Sequence, residues 1–174
     1  MGTLRHITYI LFLAGLLVLI PAPSCVQVAV VPFPAGDGGE PGLDPDRADQ
    51  VIEQVNAIRQ DNGLGPLVKN DLLTQAAEEY AARMADLGFF SHTDPETGSM
   101  PWDRADDVGY KYLLIAENLA AGQATVDQIV NGWMNSPTHR ANILLPGISE
   151  TGVAVHNGGP LGAYWVQMFA VPQP

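Results

Sequence analysis

Residues 133–144 read WMNSPTHRANIL, and the rest of the chain is organised around this stretch. Ser136 followed by Pro137 predicts a helix start, because a serine hydroxyl can accept from a free amide and proline lacks the N–H that would be unpaired there. His139 then falls in the first turn, where the positive end of the helix opposes a proton on the imidazole. The stretch therefore offers a neutral histidine suited to metal binding or general-base chemistry, or one with a purely structural role.

The composition indicates one folded domain with appendages. The chain has 174 residues, of which 47% are hydrophobic and 16% are charged, so it is long enough to bury a core and is neither disordered nor fibrous. Its formal net charge is −11, and Lys and Arg form no cluster. Nucleic acid and anionic membrane surfaces bind through basic patches, so we expect neither as a partner.

Residues 1–24 are predicted to be a signal peptide or an uncleaved signal anchor. Arg5 and His6 precede an apolar run over residues 7–20, which Pro21 ends. The run is shorter than the roughly 20 residues that a membrane-spanning helix needs. We therefore expect an extracytoplasmic protein, either secreted or attached to the cell membrane.

Cys25 is the only cysteine of the chain, so an internal disulfide cannot form. Residues 22–25 (APSC) resemble a bacterial lipobox, in which the cysteine is lipidated and attaches the domain to a membrane, although that motif usually has leucine where Ala22 stands. The alternative is an unmodified thiol beside the cleavage site. Residues 25–43 are rich in Gly and Pro and are predicted to form a tether.

The folded domain is predicted to span residues 44–174. Apolar residues at helical spacing, bounded by capping residues, predict four helices before Ser136. These helices lie between Asp44 and Gly63, between Asn70 and Gly88, between Ser99 and Gly109, and between Thr125 and Ser136.

Two strands follow, over residues 152–156 and 163–170, with a hairpin at Asn157-Gly158-Gly159. Both alternating faces of the second strand are apolar, which predicts a sheet covered by helices on both sides.

Two further stretches contain candidate site residues. His92 lies between a helix end and the turn at Asp94, in the kind of loop where site residues are often found, although a plain surface position is also typical there. Glu117 and Asn118 have apolar residues on both sides. A buried Glu117 must be paired, hydrogen-bonded or bound to a cation, because an isolated buried carboxylate is too costly.

Together these stretches resemble the CAP superfamily. This is the SCP domain that cysteine-rich secretory proteins, venom antigens and plant pathogenesis-related proteins share, and the similarity is to its cysteine-free bacterial branch. The resemblance covers about residues 44–171. The motifs that carry it, in the family's order, are FSH at 90–92, Glu117-Asn118, residues 133–144, GVAV at 152–155 and VQMFA at 166–170.

The resemblance implies an α+β fold, a three-layer α-β-α sandwich with a central, mainly antiparallel sheet. It also implies a cleft with two histidines and two acidic residues that holds a divalent metal in several members. By motif, the metal residues here are His92, His139 and Glu117, and the ion is Zn²⁺ or another divalent cation. Ser136 stands where the family has its second acid, so a mechanism that needs both carboxylates is not expected.

Several roles for these residues stay open. Two imidazoles and one carboxylate are enough for an open zinc site, in which Glu117 is a candidate catalytic base. Alternatively, Glu117 hydrogen-bonds one histidine from outside the ligand shell and metal affinity is low. The favoured function is an exported binding or interaction module for a lipid, glycan or peptide. The alternatives are a metal-assisted hydrolase of peptide or cell-envelope polymer and a structural surface domain.

Overall fold

The computed structural model describes residues 40–122 and 125–174. The predicted signal segment (residues 1–24) and Cys25 lie outside these ranges. Within them the chain forms five helices and five strands, and no helix there is long and apolar enough to cross a membrane. In chain order the elements are β1 (Gly42–Leu43), α1 (Pro45–Asp61), β2 (Val68–Lys69), α2 (Asp71–Leu87), α3 (Pro101–Asp107), β3 (Tyr112–Ala121), α4 (Val126–Asn135), α5 (Pro137–Ile143), β4 (Glu150–Asn157) and β5 (Ala163–Pro172).

The strands form a single sheet within the described ranges. The antiparallel strands follow the order β1-β4-β5-β3, and the two-residue β2 pairs parallel with β4. In β5, the strand with two apolar faces, Val166 lies opposite Leu119 of β3 and Ala154 of β4. The predicted mainly antiparallel sheet is confirmed. Since β3 ends the strand order, one of its sides has no strand partner among the described residues.

Helices cover both faces of the sheet, as predicted. Successive side chains of a strand point to opposite faces. Trp165 of β5 accordingly packs with residues of α1, α4 and α5, whereas Val166 packs with residues of α2 and α3. The α+β fold and its three-layer α-β-α arrangement are therefore confirmed.

The caps predicted at three helix starts are confirmed. The Asp44 side chain accepts from the amide of Arg47 at 3.0 Å, and Thr125 accepts from the amide of Gln128 at 3.3 Å. Asn70 accepts from two amides in the first turn of α2. These side chains satisfy amides that every helix start leaves without an internal partner.

Ser136 differs from its prediction in one respect. It does precede α5, and Pro137 is the first helical residue. Its hydroxyl lies 3.3 Å from the hydroxyl of Thr138, however, and among the described residues it accepts from no amide of the helix. The helix start therefore depends on Pro137, whose fixed φ angle already suits the first helical position, rather than on a serine cap.

The sequence did not predict three of the strands. In β1, Gly42 and Leu43 pair with Asn157 and His156, although the sequence predicts a tether for both residues. The folded domain thus includes residues before Asp44. β2 is only two residues long, and β3 carries two adjacent polar residues that interrupt its apolar pattern.

Helix α2 lies directly on the sheet at Gly152 of β4. A Cβ atom at this position would stand 2.1 Å from the carbonyl carbon of Leu73 and 2.2 Å from the nitrogen of Thr74. Both atoms belong to the helix backbone, which cannot shift without moving the packed helix. Only glycine allows this close approach.

We predict that Gly152→Ala destabilises the protein by about 1–3 kcal/mol or more, because the added methyl group overpacks the contact between α2 and β4. Urea denaturation followed by circular dichroism measures the change. Gly132→Ala is the matched control, since a Cβ at this position of α4 meets nothing within 4 Å. The control should gain about 0.5–1 kcal/mol from the better helix former, and equal stability of the two variants would contradict the packing argument.

Candidate functional site

Side chains from α4 and α5 close the free side of β3. Nε1 of Trp133 donates to the carbonyl of Leu119 at 3.0 Å, and Nδ2 of Asn142 donates to the carbonyl of Glu117 at 3.1 Å. Backbone groups on the unpaired side of an edge strand need such partners when they are covered. Residues of the 133–144 stretch therefore anchor both helices to β3.

Asn118 fixes the backbone at His139. Its Nδ2 donates to the carbonyl of His139 at 3.1 Å, and its Oδ1 accepts from Nδ2 of Asn142 at 2.9 Å. Asn118 is fully buried, so these bonds also satisfy an amide that would otherwise be costly to bury. The α5 helix is thereby held in one position along β3, and His139 with it.

Glu117 is the centre of the site on the opposite face of the sheet. Only 1% of its side chain is exposed. Oε1 lies 2.7 Å from Nδ1 of His92, and Oε2 accepts from Nη2 of Arg104 at 2.6 Å. The condition derived from the sequence, that a buried Glu117 must have partners, is met by these two residues.

Sequence reasoning did not identify Arg104. This side chain is 9% exposed, and its guanidinium carbon lies 3.4 Å from the centre of the Tyr80 ring. A signal was present in the sequence, because Arg104 follows Pro101 by three residues and so falls on the buried face of α3 with Pro101 and Ala105. An arginine on the apolar face of a short helix indicates a buried acidic partner.

The geometry assigns the ring nitrogens of His92. Glu117 already accepts from Arg104, so the group is a carboxylate, and Nδ1 of His92 must be the donor in their 2.7 Å contact. In the neutral ring, Nε2 then carries the free lone pair. The side chain of His92 is 49% exposed, which leaves this lone pair available to a ligand.

His139 is partly buried and lies close enough to His92 for the two rings to affect each other electrostatically. Its pKa lies below the ordinary value, first because burial disfavours the charged ring and second because His92 is nearby. The neutral histidine predicted from the 133–144 stretch agrees with this direction. Of the three residues predicted for the site, Glu117 contacts His92, and His92 is close enough to His139 to lower its pKa. A joint role of the three residues stays a prediction.

The loop that carries His92 is held by Asp94. This residue is 2% exposed, pairs with Arg83, and accepts from the amides of Glu96 at 2.9 Å and Thr97 at 2.8 Å. The Arg83 guanidinium, together with these amides, holds the pKa of the Asp94 carboxyl well below its usual range. Asp94 thus closes the turn as an ionised group.

The residues present fit a metal ion only in part. His92 and His139 offer nitrogen donors of the kind that zinc binds. Both oxygens of Glu117 are already bonded, to His92 and Arg104, so Glu117 fits the role of an outer partner better than that of a ligand. Across residues 40–122 and 125–174, no group of three or more His, Cys, Asp or Glu side chains is arranged to hold a metal. The three-ligand metal site stays a prediction.

Comparison with known proteins identifies the family. The model of the cysteine-rich secretory protein family (CAP) matches residues 52–169. The chain belongs to the CAP family. The resemblance predicted from the sequence motifs is therefore confirmed, and the single cysteine fits the cysteine-free bacterial branch.

The relatives of this CAP domain include bacterial proteins. The uncharacterized protein YkwD of Bacillus subtilis is 38% identical over 120 residues, which are 69% of this chain and 45% of that protein. The chain thus spans less than half the length of this relative. Among solved structures, an extracellular SCP-domain protein of Bacillus anthracis has a TM-score of 0.65 and 27% identity, with 73% of this chain and 41% of that chain covered.

A second solved structure shares the fold over its whole length. This outer surface protein of Borrelia burgdorferi has a TM-score of 0.70 at 20% identity, and the match covers 77% of this chain and 100% of that chain. At this identity the likeness concerns the fold alone.

We predict that Asp94→Asn destabilises the protein at neutral pH and that the effect shrinks in acid. The pKa of folded Asp94 lies below its ordinary value of 3.8, so its stabilising contribution is complete above that value and is lost as the pH falls below it. The measurement is the free energy of unfolding in urea for both proteins at about pH 7 and about pH 2.5.

Glu96→Gln is the control for this experiment. Glu96 also pairs with Arg83, but its side chain is 65% exposed, so its removal should change stability little at either pH. A difference between wild type and Asp94→Asn that is the same at both pH values would show that the Asp94 charge is not responsible.

Proposed function

We propose that this CAP domain is an extracytoplasmic binding or interaction module whose ligand site is the cleft at His92, His139 and Glu117. One observation carries the proposal: a buried carboxylate contacts Nδ1 of the half-exposed His92, so Nε2 is the ring nitrogen left for a ligand, and His139 is close enough for His92 to lower its pKa. A histidine with a purely structural role would not need an exposed nitrogen oriented by a buried ion pair. The arrangement is suited to holding a ligand that the two imidazoles contact.

The proposed location agrees with the relatives. One is described as an extracellular protein and another as an outer surface protein. The predicted signal segment, residues 1–24, is consistent with export. Membrane attachment through this segment or through a lipidated Cys25 stays a prediction, as does a lipid, glycan or peptide as the natural ligand.

We propose that the cleft holds Zn²⁺ or another divalent ion through His92 and His139. A structure of similar fold, that of NaASP2, was solved with Zn²⁺ (12% identity, TM-score 0.54, 76% of this chain and 83% of that chain covered). When bound, the ion would supply positive charge that attracts an oxygen atom of a ligand. Glu117 would keep His92 in the tautomer whose Nε2 can bind a metal.

Hydrolysis is the less favoured function. Both oxygens of Glu117 accept hydrogen bonds and its side chain is almost fully buried, so it is not free to take a proton from a water molecule in the cleft. Ser136, at the position of the family's second acid, offers no replacement carboxylate. Binding therefore accounts for the geometry better than general-base catalysis by Glu117.

We predict that the full chain binds Zn²⁺ in isothermal titration calorimetry and that His92→Ala and His139→Ala each abolish this heat, because each removes one of the two nitrogen donors. Glu117→Gln should weaken binding by about 10–100-fold, the usual effect of losing an outer partner of a metal ligand. Circular dichroism of each variant verifies that the fold is retained.

The control is His156→Ala, since His156 lies on β4 between Leu43 of β1 and Tyr164 of β5. Its heat should match that of wild type. If wild type releases no heat, or if all variants behave alike, the two histidines do not form a metal site, and the structural alternative gains support.

A further inference from the structure

Arg104 is surrounded by groups that hold it in one position. The Tyr80 ring covers its guanidinium at 3.4 Å, and Nη1 donates to the carbonyl of Ser99 at 3.1 Å. Both terminal nitrogens also lie 3.3 Å from the carbonyl of His92. A cation above an aromatic face and close to several carbonyls is well compensated even when it is buried.

Tyr80 connects this arrangement to the loop that carries His92. Tyr80 is 2% exposed, and its hydroxyl donates to the carbonyl of Ser91 at 2.6 Å. Burial raises the pKa of Tyr80 to about 12, so the hydroxyl keeps its proton and remains a donor. Arg104 and Tyr80 therefore hold the backbone at residues 91 and 92, while Arg104 also holds Glu117.

The contact between Arg104 and Glu117 determines which carboxylate oxygen of Glu117 faces His92. Nη2 of Arg104 takes Oε2 at 2.6 Å, which directs Oε1 to Nδ1 of His92. Removal of Arg104 would take away the donor that holds Oε2, so the Glu117 carboxylate would be free to turn towards water and away from His92. Without an acceptor at Nδ1, nothing would favour the Nδ1–H form of the His92 ring, and the proton would move to Nε2.

We propose that Arg104 is the positioning residue of the cleft: by keeping Glu117 an oriented acceptor, it sets the Nδ1–H tautomer of His92 and so makes Nε2 the ligand-binding atom. The importance of this tautomer for binding rests on the function proposed above, but the tautomer itself does not. A merely structural role for Arg104 would change stability and leave the ring protons of His92 where they are.

Long-range ¹H–¹⁵N NMR of the ¹⁵N-histidine-labelled full chain tests the proposal at about pH 8, above the ordinary pKa of histidine. The spectrum distinguishes a protonated ring nitrogen from an unprotonated one. Wild type should show His92 protonated at Nδ1, and Arg104→Met should show the proton at Nε2, with Zn²⁺ affinity reduced by about 10–100-fold. Arg104→Lys keeps the charge and should restore the wild-type tautomer.

The matched control is Arg140→Met, which removes an exposed arginine next to His139 in the chain and should leave the His92 tautomer unchanged. Arg104→Met with the proton still on Nδ1 overturns the proposal. If Arg104→Met does not fold, Arg104→Gln replaces it, because it also removes the charge that holds Oε2, keeps a polar group at this buried position and leaves Glu117 in place. Retention of the Nδ1–H form in that variant also overturns the proposal.

The tautomer and the metal are read out separately. A shift of the His92 proton in Arg104→Met without any zinc binding by wild type would refute the proposed function and leave the role of Arg104 intact. Zinc binding by wild type without a tautomer shift in Arg104→Met would support the proposed function and refute the role of Arg104.

Discussion

Glu117 places a carboxylate between a sheet and the helices that cover it, where an unpaired charge would cost several kcal/mol. Helix α3 supplies Arg104, the loop after α2 supplies His92, and α2 supplies the Tyr80 ring that covers the guanidinium. Three segments that are separate in the sequence therefore have to meet at one side chain. The position of His92 on this face of the sheet follows from that requirement.

The neighbouring residue has the same organising role on the other face. Successive residues of a strand point to opposite sides, so Asn118 faces α5 while Glu117 faces α3. Asn118 and Asn142 hydrogen-bond each other, and both bind backbone carbonyls across the contact between β3 and α5. The position of β3 at the edge of the sheet lets residues from both faces come together at its free side. His92 contacts Glu117 from one face, and the backbone carbonyl of His139 accepts from Asn118 on the other.

The two histidines are not equivalent. The His92 ring contacts the Glu117 carboxylate through Nδ1, whereas the His139 ring has no hydrogen-bond partner among residues 40–122 and 125–174. The pKa of His139 is lowered by burial and by the neighbouring ring, so it offers a neutral nitrogen without a comparable orienting partner. This asymmetry is consistent with a cleft that binds through two nitrogens and uses Glu117 as a support rather than as a base.

The sequence alone determined the features that depend on local chemistry: the caps of α1, α2 and α4, the apolar faces of the helices, the late hairpin and, by its motifs, the family. It also indicated that a buried Glu117 needs partners. It could not identify Arg104 as that partner. It also did not identify β3 as a strand, because the polar residues Glu117 and Asn118 interrupt the apolar pattern, and their hydrogen-bond partners lie in distant segments. Only the tertiary structure decided that Oε1 of Glu117 contacts His92 while Oε2 binds Arg104. The physical reason is that a buried charge pairs with the side chains that the fold brings within reach, and the separation of residues in the sequence does not reveal which side chains those are.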